Sequence, residues 1–448
     1  MNFVEACRKM ISFDSSPQLG TRDLVLWLAE ICKARGLHVD VQEEIFGDHE
    51  QANILIRPVA EKPALELLLQ THLDTPDPGP FGLWSETGHN PFDAHIIDNK
   101  IFGLGAADVK LDFLCKLEAL SAFSTETIWR LPPVLVGTFG EELGMMGALK
   151  LIRKNKLSAK SALVGEASNL HLITAGKGMA AVEIRIPYSD EERSYRVEHN
   201  LRESTSTESR IFNGKSAHSS TPQLGESAIK KMLDYLLQLP ENIVLMEMDG
   251  GVNFNTVPAN AFLEIDPVSG FVDPMSKKVA LIYQTLKELE TQFTAYQDRE
   301  FTPSHPTLNI GLVRTFEDHI FISGSCRLPP VVTNEVYEGW MARLKSKCES
   351  VGAEFRITDY KRPYRTDENS AFVRGCLEEL QEMGLSTQIQ TQSSTNEASL
   401  WSRIGIDCIS FGPGQREGNI HTPKEHVAID DLKKAVEFYR RVIERFCL

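Results

Sequence analysis

Three short apolar runs stand out along the chain: LELLLQ (65–70), PPVLVGTF (132–139) and SALVGEA (161–167). Each is bounded by chain breakers and lacks a polar face, the pattern of strands buried on both sides of a sheet. Between them, Leu111–Phe123 and Gly147–Asn155 carry helical periodicity, and Thr21–Arg35 does so before them, ending at Gly36. The first 16 residues read as an amphipathic helix. This alternation predicts an α/β layered domain over residues 1–177.

The pattern changes at Gly178. GMAAVEIRIP (178–187) alternates like a half-exposed strand. A helix over Glu226–Leu239, a strand NAFLEID, a helix over Ser276–Tyr296, strands TLNIGLV and HIFISGSCR, and a helix over Glu335–Ser350 follow. Elements with one polar face each predict an α+β insert over 178–362. After Pro363 the uninterrupted apolar style returns, with IDCISFGPG as strand and loop and a closing helix over Asp430–Phe446. The first domain is therefore expected to be discontinuous, 1–177 plus 363–448.

Composition narrows the chemistry. The 448 residues are 42% hydrophobic and 24% charged, with a formal net charge of −15. That balance argues against nucleic acid or an anionic membrane as partner. No run approaches the ~20 apolar residues of a membrane span, and the amino terminus lacks the basic start and cleavage site of a secretory signal. The eight cysteines form no C-x-x-C pair, which fits reduced thiols in a cytoplasmic protein. No P-loop or dinucleotide fingerprint is present.

Metal-capable side chains follow the apolar runs. His72-Leu73-Asp74 ends the first, Glu141 and Glu142 follow the second in VLVGTFGEELG, and Glu166 ends the third in ALVGEASN. Asp108 precedes a helix in GLGAADVKLD, and His421 lies in FGPGQREGNIHTP after the last strand. Each alone reads as a surface acid or a cap. Together they sit where α/β sheets bind ligands, at the carboxyl ends of strands.

In these motifs, their order and their spacing the chain resembles the M20 family of metallopeptidases and deacylases over nearly its whole length. The resemblance implies a zinc-peptidase-like catalytic domain, with a mixed, mostly parallel sheet between helices, and an inserted lid or dimerisation domain. It implies two divalent ions per chain, zinc foremost with cobalt or manganese as alternatives. His72 and Glu166 would bind one ion, Glu142 and His421 the other, and Asp108 would bridge them. Imidazole and carboxylate donors suit zinc. Asp74 would accept a hydrogen bond from His72 and fix its ring. Glu141 would be the general base, taking a proton from a metal-bridging water and passing it to the leaving nitrogen. The Asp108–Val109 peptide would be cis. In the insert, His218 of NGKSAHSSTP would reach the reacting carbonyl, Asn255 of GGVNFNTVP would approach substrate, and Arg327 of SGSCRLPP would meet a substrate carboxylate. His89, His95, His171, His199, His305, His319 and His426 match no motif.

The expected substrate is an N-acyl amino acid or a short peptide, cleaved at an amide bond. Glu166, an aspartate in many dipeptidases of the family, favours a deacylase or carboxypeptidase. The long insert, with its extra segment Asp266–Pro306, resembles the enlarged lids of the dipeptidases and favours that alternative. A non-catalytic binding module of the same fold is a remote third reading, since neither the base nor a ligand is lost. A homodimer through the insert is favoured over a monomer. The family's Gly-Arg-Gly before the bridging aspartate is Gly103-Leu104-Gly105 here, and its Gly-Gly-Thr-Asp stretch appears as Ser393–Glu397.

Overall fold

The computed structural model describes residues 1–200, 208–240, 243–266 and 275–448. The chain divides into two units. One comprises residues 1–175, 364–391 and 396–448, and the other residues 176–363 with 392–395.

The first unit is built on a nine-stranded sheet. Its order is His38–Phe46, His49–Arg57, Pro133–Thr138, Glu66–His72, Ala159–Gly165, Asp407–Phe411, Ile173–Gly176 and Tyr364–Arg365, with Gln390–Gln392 paired to Ile173–Gly176. The four strands from Pro133–Thr138 to Asp407–Phe411 run parallel; their neighbours on either side join antiparallel. The uninterrupted apolar runs follow from burial on both faces. Leu67 and Leu69 enter one core, with Leu135, Leu163 and Ile409, beneath the helices Phe3–Ile11, Arg22–Ala34, Lys110–Ser121, Ala371–Glu382 and Ile429–Cys447. Leu68 enters the opposite core, with Val134, Val136, Ala162 and Val164, beneath Met146–Arg153 and Ala398–Arg403. All eight cysteines are free and buried. Among the described residues no helix is long and apolar enough to cross a membrane.

The second unit is a seven-stranded sheet in the order Glu208–Asn213, Asn260–Asp266, Val244–Gly251, Thr307–Thr315, His319–Leu328, Gly178–Pro187 and Glu354–Lys361, antiparallel at each pairing. Ala228–Leu236, Met275–Phe293 and Asn334–Ser350 supply the helices of its core. Of the extra segment Asp266–Pro306, residues 267–274 lie outside the described residues. The expected polar face is not exposed on two strands: Thr307–Thr315 and His319–Leu328 are buried along most of their length. The reason is a loop lying on that face. Asn309 Nδ2 donates to the carbonyls of Phe254 and Thr256, and Ser325 Oγ donates to that of Phe254. Gly311 permits this approach, because a Cβ there would stand 2.3 Å from the Asn253 carbonyl oxygen.

Candidate active site

Three of the four parallel strands deliver an acid or imidazole at or just beyond their carboxyl ends, and the fourth opens the loop that carries His421. Strand Glu66–His72 ends in His72, which is buried. A network below fixes that end: Lys116 Nζ donates to the Gln70 carbonyl and to Thr71 Oγ1, and Thr71 Oγ1 donates to Asp112 Oδ2. The neighbouring strand must pass close to it. A Cβ at Gly165, one residue before Glu166, would lie 2.4 Å from Asp112 Oδ2.

Asp108 is the centre of the cluster. Its Oδ1 is 3.5 Å from His72 Nε2 and its Oδ2 is 3.0 Å from His421 Nε2. His421 Nε2 also lies 3.1 Å from Glu142 Oε1. The Asp108–Val109 peptide is cis, as the resemblance implied. Asp74 acts differently from the expectation. Its carboxylate accepts from the backbone N–H of both Glu141 and Glu142, at 3.1 and 3.0 Å. His72 Nδ1 instead meets the Asp74 backbone carbonyl at 3.1 Å, with the carboxylate at 3.7 Å. Two backbone donors already claim the carboxylate, so it holds the Glu141–Glu142 turn more directly than the ring.

The electrostatics are those of a buried acidic cluster facing two imidazoles. Burial alone would raise the Asp108 carboxyl, but the imidazoles on its two oxygens hold it well below the ordinary carboxylate range. Burial would depress His421, yet Asp108 and Glu142 lift it to about 11. His72 is likewise raised, against its burial, by Asp108 and Asp74. Glu141 is pushed well above the ordinary range, first by burial and then by Glu142, Glu166 and Glu397, against the pull of His72. Protons and metal ions compete for such a donor set. The residues fit a metal: Asp108, Glu142 and His421 offer ligand atoms that all lie within 4.8 Å of one another, with the oxygen and nitrogen donors that suit zinc.

Three charged residues at this site carried no signal that we read from the sequence. Arg416 Nη1 donates to Glu166 Oε2 at 2.8 Å. Glu425 is buried, and its Oε1 accepts from the N–H groups of Ala107 and Asp108 at 2.9 and 3.0 Å, clamping the segment that carries Asp108. Glu397 is buried too, accepts from Thr138 Oγ1 at 2.8 Å and from Gln70 Nε2, and is pushed up to about 8, chiefly by burial. Their positions within the His421 loop and the Ser393–Glu397 stretch were the available clue.

The remaining three sequence-derived candidates gather in the second unit. Arg327 Nη2 donates to Asn255 Oδ1 at 2.6 Å and to Ser219 Oγ at 3.3 Å, and its Nη1 reaches Thr395 Oγ1 at 3.3 Å. Because the guanidinium takes Oδ1, Asn255 turns its Nδ2 to His218 Nε2, 3.3 Å away. On its other side His218 Nδ1 accepts from the Ser220 backbone N–H at 3.1 Å and meets Ser220 Oγ at 2.7 Å. His218, Asn255 and Arg327 thus form one connected polar group.

The family profile described as Peptidase family M20/M25/M40 matches residues 68–445. An acetylornithine deacetylase of Photorhabdus laumondii is 25% identical over 454 residues, covering 98% of this chain and 93% of its own. Among solved structures, the aminoacylhistidine dipeptidase of Vibrio alginolyticus aligns with TM-score 0.65 at 16% identity, over 99% of this chain and 96% of its own. An M20 family metallo-carboxypeptidase of Sulfolobus solfataricus aligns with TM-score 0.63 at 18% identity, over 100% and 99%.

Proposed function

Because the chain belongs to peptidase family M20/M25/M40, we propose that it is a metal-dependent hydrolase that cleaves the amide bond of an N-acyl amino acid or short peptide, with deacylation the leading activity. The observation that carries this reading is Asp108: one carboxylate faced by two imidazoles, with Glu142 beside the second of them. The similarity to an acetylornithine deacetylase over nearly the whole of both chains favours an N-acyl amino acid.

In this reading Glu142 and His421 would hold one zinc ion and His72 and Glu166 another, with Asp108 available to both. Zinc held there supplies Lewis acidity for the amide carbonyl and makes water a better nucleophile. Glu141 does the proton work. Its carboxylate takes a proton from water as the water oxygen attacks the carbonyl carbon, and returns it to nitrogen as the C–N bond breaks. A carboxyl whose proton affinity is raised by burial is suited to both halves of that transfer. Residues 1–177 with 363–448 form the catalytic domain and 178–362 the lid. There His218 would polarise the carbonyl, Asn255 would approach the substrate, and Arg327 would bind the carboxylate of the amino-acid half.

The test is hydrolysis by zinc- or cobalt-loaded protein of matched N-acetyl and N-succinyl amino acids and dipeptides. Turnover of an N-acyl amino acid that a chelator abolishes is the expected result. Cleavage of dipeptides alone makes it a dipeptidase, and turnover unaffected by chelation ends the metal-dependent reading.

A further inference from the structure

The loop after strand Asp407–Phe411 carries two nitrogen-bearing side chains to the acidic cluster. His421 reaches Asp108 and Glu142. Arg416 reaches Glu166, whose side chain is only 5% exposed, with the guanidinium nitrogen 2.8 Å from Oε2. The loop is tied to the segment that carries Glu166. The N–H groups of Asn169 and Leu170 donate to the carbonyls of Gly414 and Gly412, and the Gly412 N–H donates to Ser168 Oγ. Within the loop the Arg416 carbonyl accepts from the N–H groups of Asn419 and Ile420, and Asn419 Nδ2 holds the Gln415 carbonyl. The Arg416–Glu166 pair is thus a braced, charge-assisted contact. A cation bound at Glu166 must share that carboxylate with a guanidinium in direct contact and meet its charge, whereas Asp108, Glu142 and His421 already bring their ligand atoms within 4.8 Å of one another. We propose that Arg416 makes the two halves of the centre unequal: the Asp108–Glu142–His421 half takes a metal ion first, and the His72–Asp108–Glu166 half takes one only as Arg416 gives up Glu166. This rests on the metal-binding reading above and adds a gating residue to it.

The test uses the full chain, stripped with a chelator and titrated with zinc against a chromophoric competitor, with bound metal counted by elemental analysis. The wild type should bind one equivalent tightly and a second at least ~10-fold more weakly. Arg416→Met should tighten the second equivalent by roughly 10- to 100-fold, about 1.4–2.8 kcal/mol at 1.4 kcal/mol per decade, and the first by clearly less, because the guanidinium touches Glu166 and acts on the first half only through its charge at Asp108. Arg416→Lys keeps the charge and should leave the second site weak. Two equivalents of matched affinity in the wild type overturn the proposal. So does an Arg416→Met variant whose second site does not tighten, or one in which both sites weaken together, which would make Arg416 a brace for the His421 loop. If wild type and variants all bind no zinc, the metal-dependent reading itself falls, an outcome distinct from two equal sites.

Discussion

Asp74 offers the sharpest test of how the site is held. Its buried carboxylate accepts from two successive backbone N–H groups, Glu141 at 3.1 Å and Glu142 at 3.0 Å. Asp74→Asn keeps the shape but leaves one oxygen for two donors and turns an NH₂ towards the other N–H. Hydrogen bonds to charged groups are worth about 1.5–3 kcal/mol, and an unmet buried donor costs about 1–3 kcal/mol; because these overlap, local opening of the turn should become easier by ~2–4 kcal/mol. At 1.4 kcal/mol per decade that is roughly 30- to 700-fold faster amide hydrogen exchange at Glu141 and Glu142. His72 should be less affected, because its Nδ1 rests on the Asp74 backbone carbonyl, which the substitution retains. Zinc affinity should therefore fall by less than about tenfold, while kcat falls with the displacement of Glu141. Exchange at Glu141 and Glu142 that changes less than about threefold, with zinc affinity collapsing instead, would refute this reasoning and return Asp74 to the role of orienting the His72 ring.

Other expectations follow from the same geometry. Glu141→Ala should leave zinc content and fold nearly intact and lower kcat by ~10²–10⁴, the usual worth of a positioned general base, whereas Glu142→Ala should lose zinc; elemental analysis and kcat on the same preparations decide, and the opposite pattern reverses the two roles. Asp108→Ala should cost both metal equivalents rather than one, since its two oxygens face the two imidazoles at 3.5 and 3.0 Å. Glu397 has its folded pKa raised from 4.5 to about 8, so its contribution to stability is fully present below pH ~4.5 and is lost as pH rises towards 8, at up to ~1.4 kcal/mol per pH unit. Glu397→Gln should remove that dependence, so that wild type and variant diverge in chemical denaturation at pH 8 and converge at pH 4.5; parallel curves would place the ionised carboxylate in the native state already.

The central strands were readable because burial on both faces leaves no polar position to confuse the period. Leu67, Leu68 and Leu69 had to be apolar whichever way each pointed. The metal-capable residues were readable because they follow those strands directly. Residues whose roles depend on distant partners were not. Glu425 is buried only because the N–H groups of Ala107 and Asp108 meet it, and Glu397 only because Gln70 and Thr138 do. In sequence both look like solvated acids, as Arg416 looks like a loop cation. The buried polar faces of Thr307–Thr315 and His319–Leu328 were misjudged for the same reason: the covering loop at Asn253–Thr256 leaves no mark on the strands' own pattern. His218, Asn255 and Arg327 were found by motif resemblance alone, and the hydrogen bonds that join them were not foreseeable from their spacing.

The position of Asp407–Phe411 has a consequence for synthesis. This strand pairs directly with Ala159–Gly165, yet a ribosome must add residues 166–406 before it exists. At ~5–20 residues per second that interval is on the order of ten seconds to a minute. Throughout it the hydrogen-bonding edge of Ala159–Gly165 lacks its native neighbour, the kind of open strand edge that templates aggregation. The intervening chain is mostly one unit with its own core, so it can fold while the first unit waits. Overproduction in a heterologous host should therefore suffer most from conditions that lengthen the interval, such as rare codons placed between 166 and 406, and gain most from holdase chaperones acting over that window.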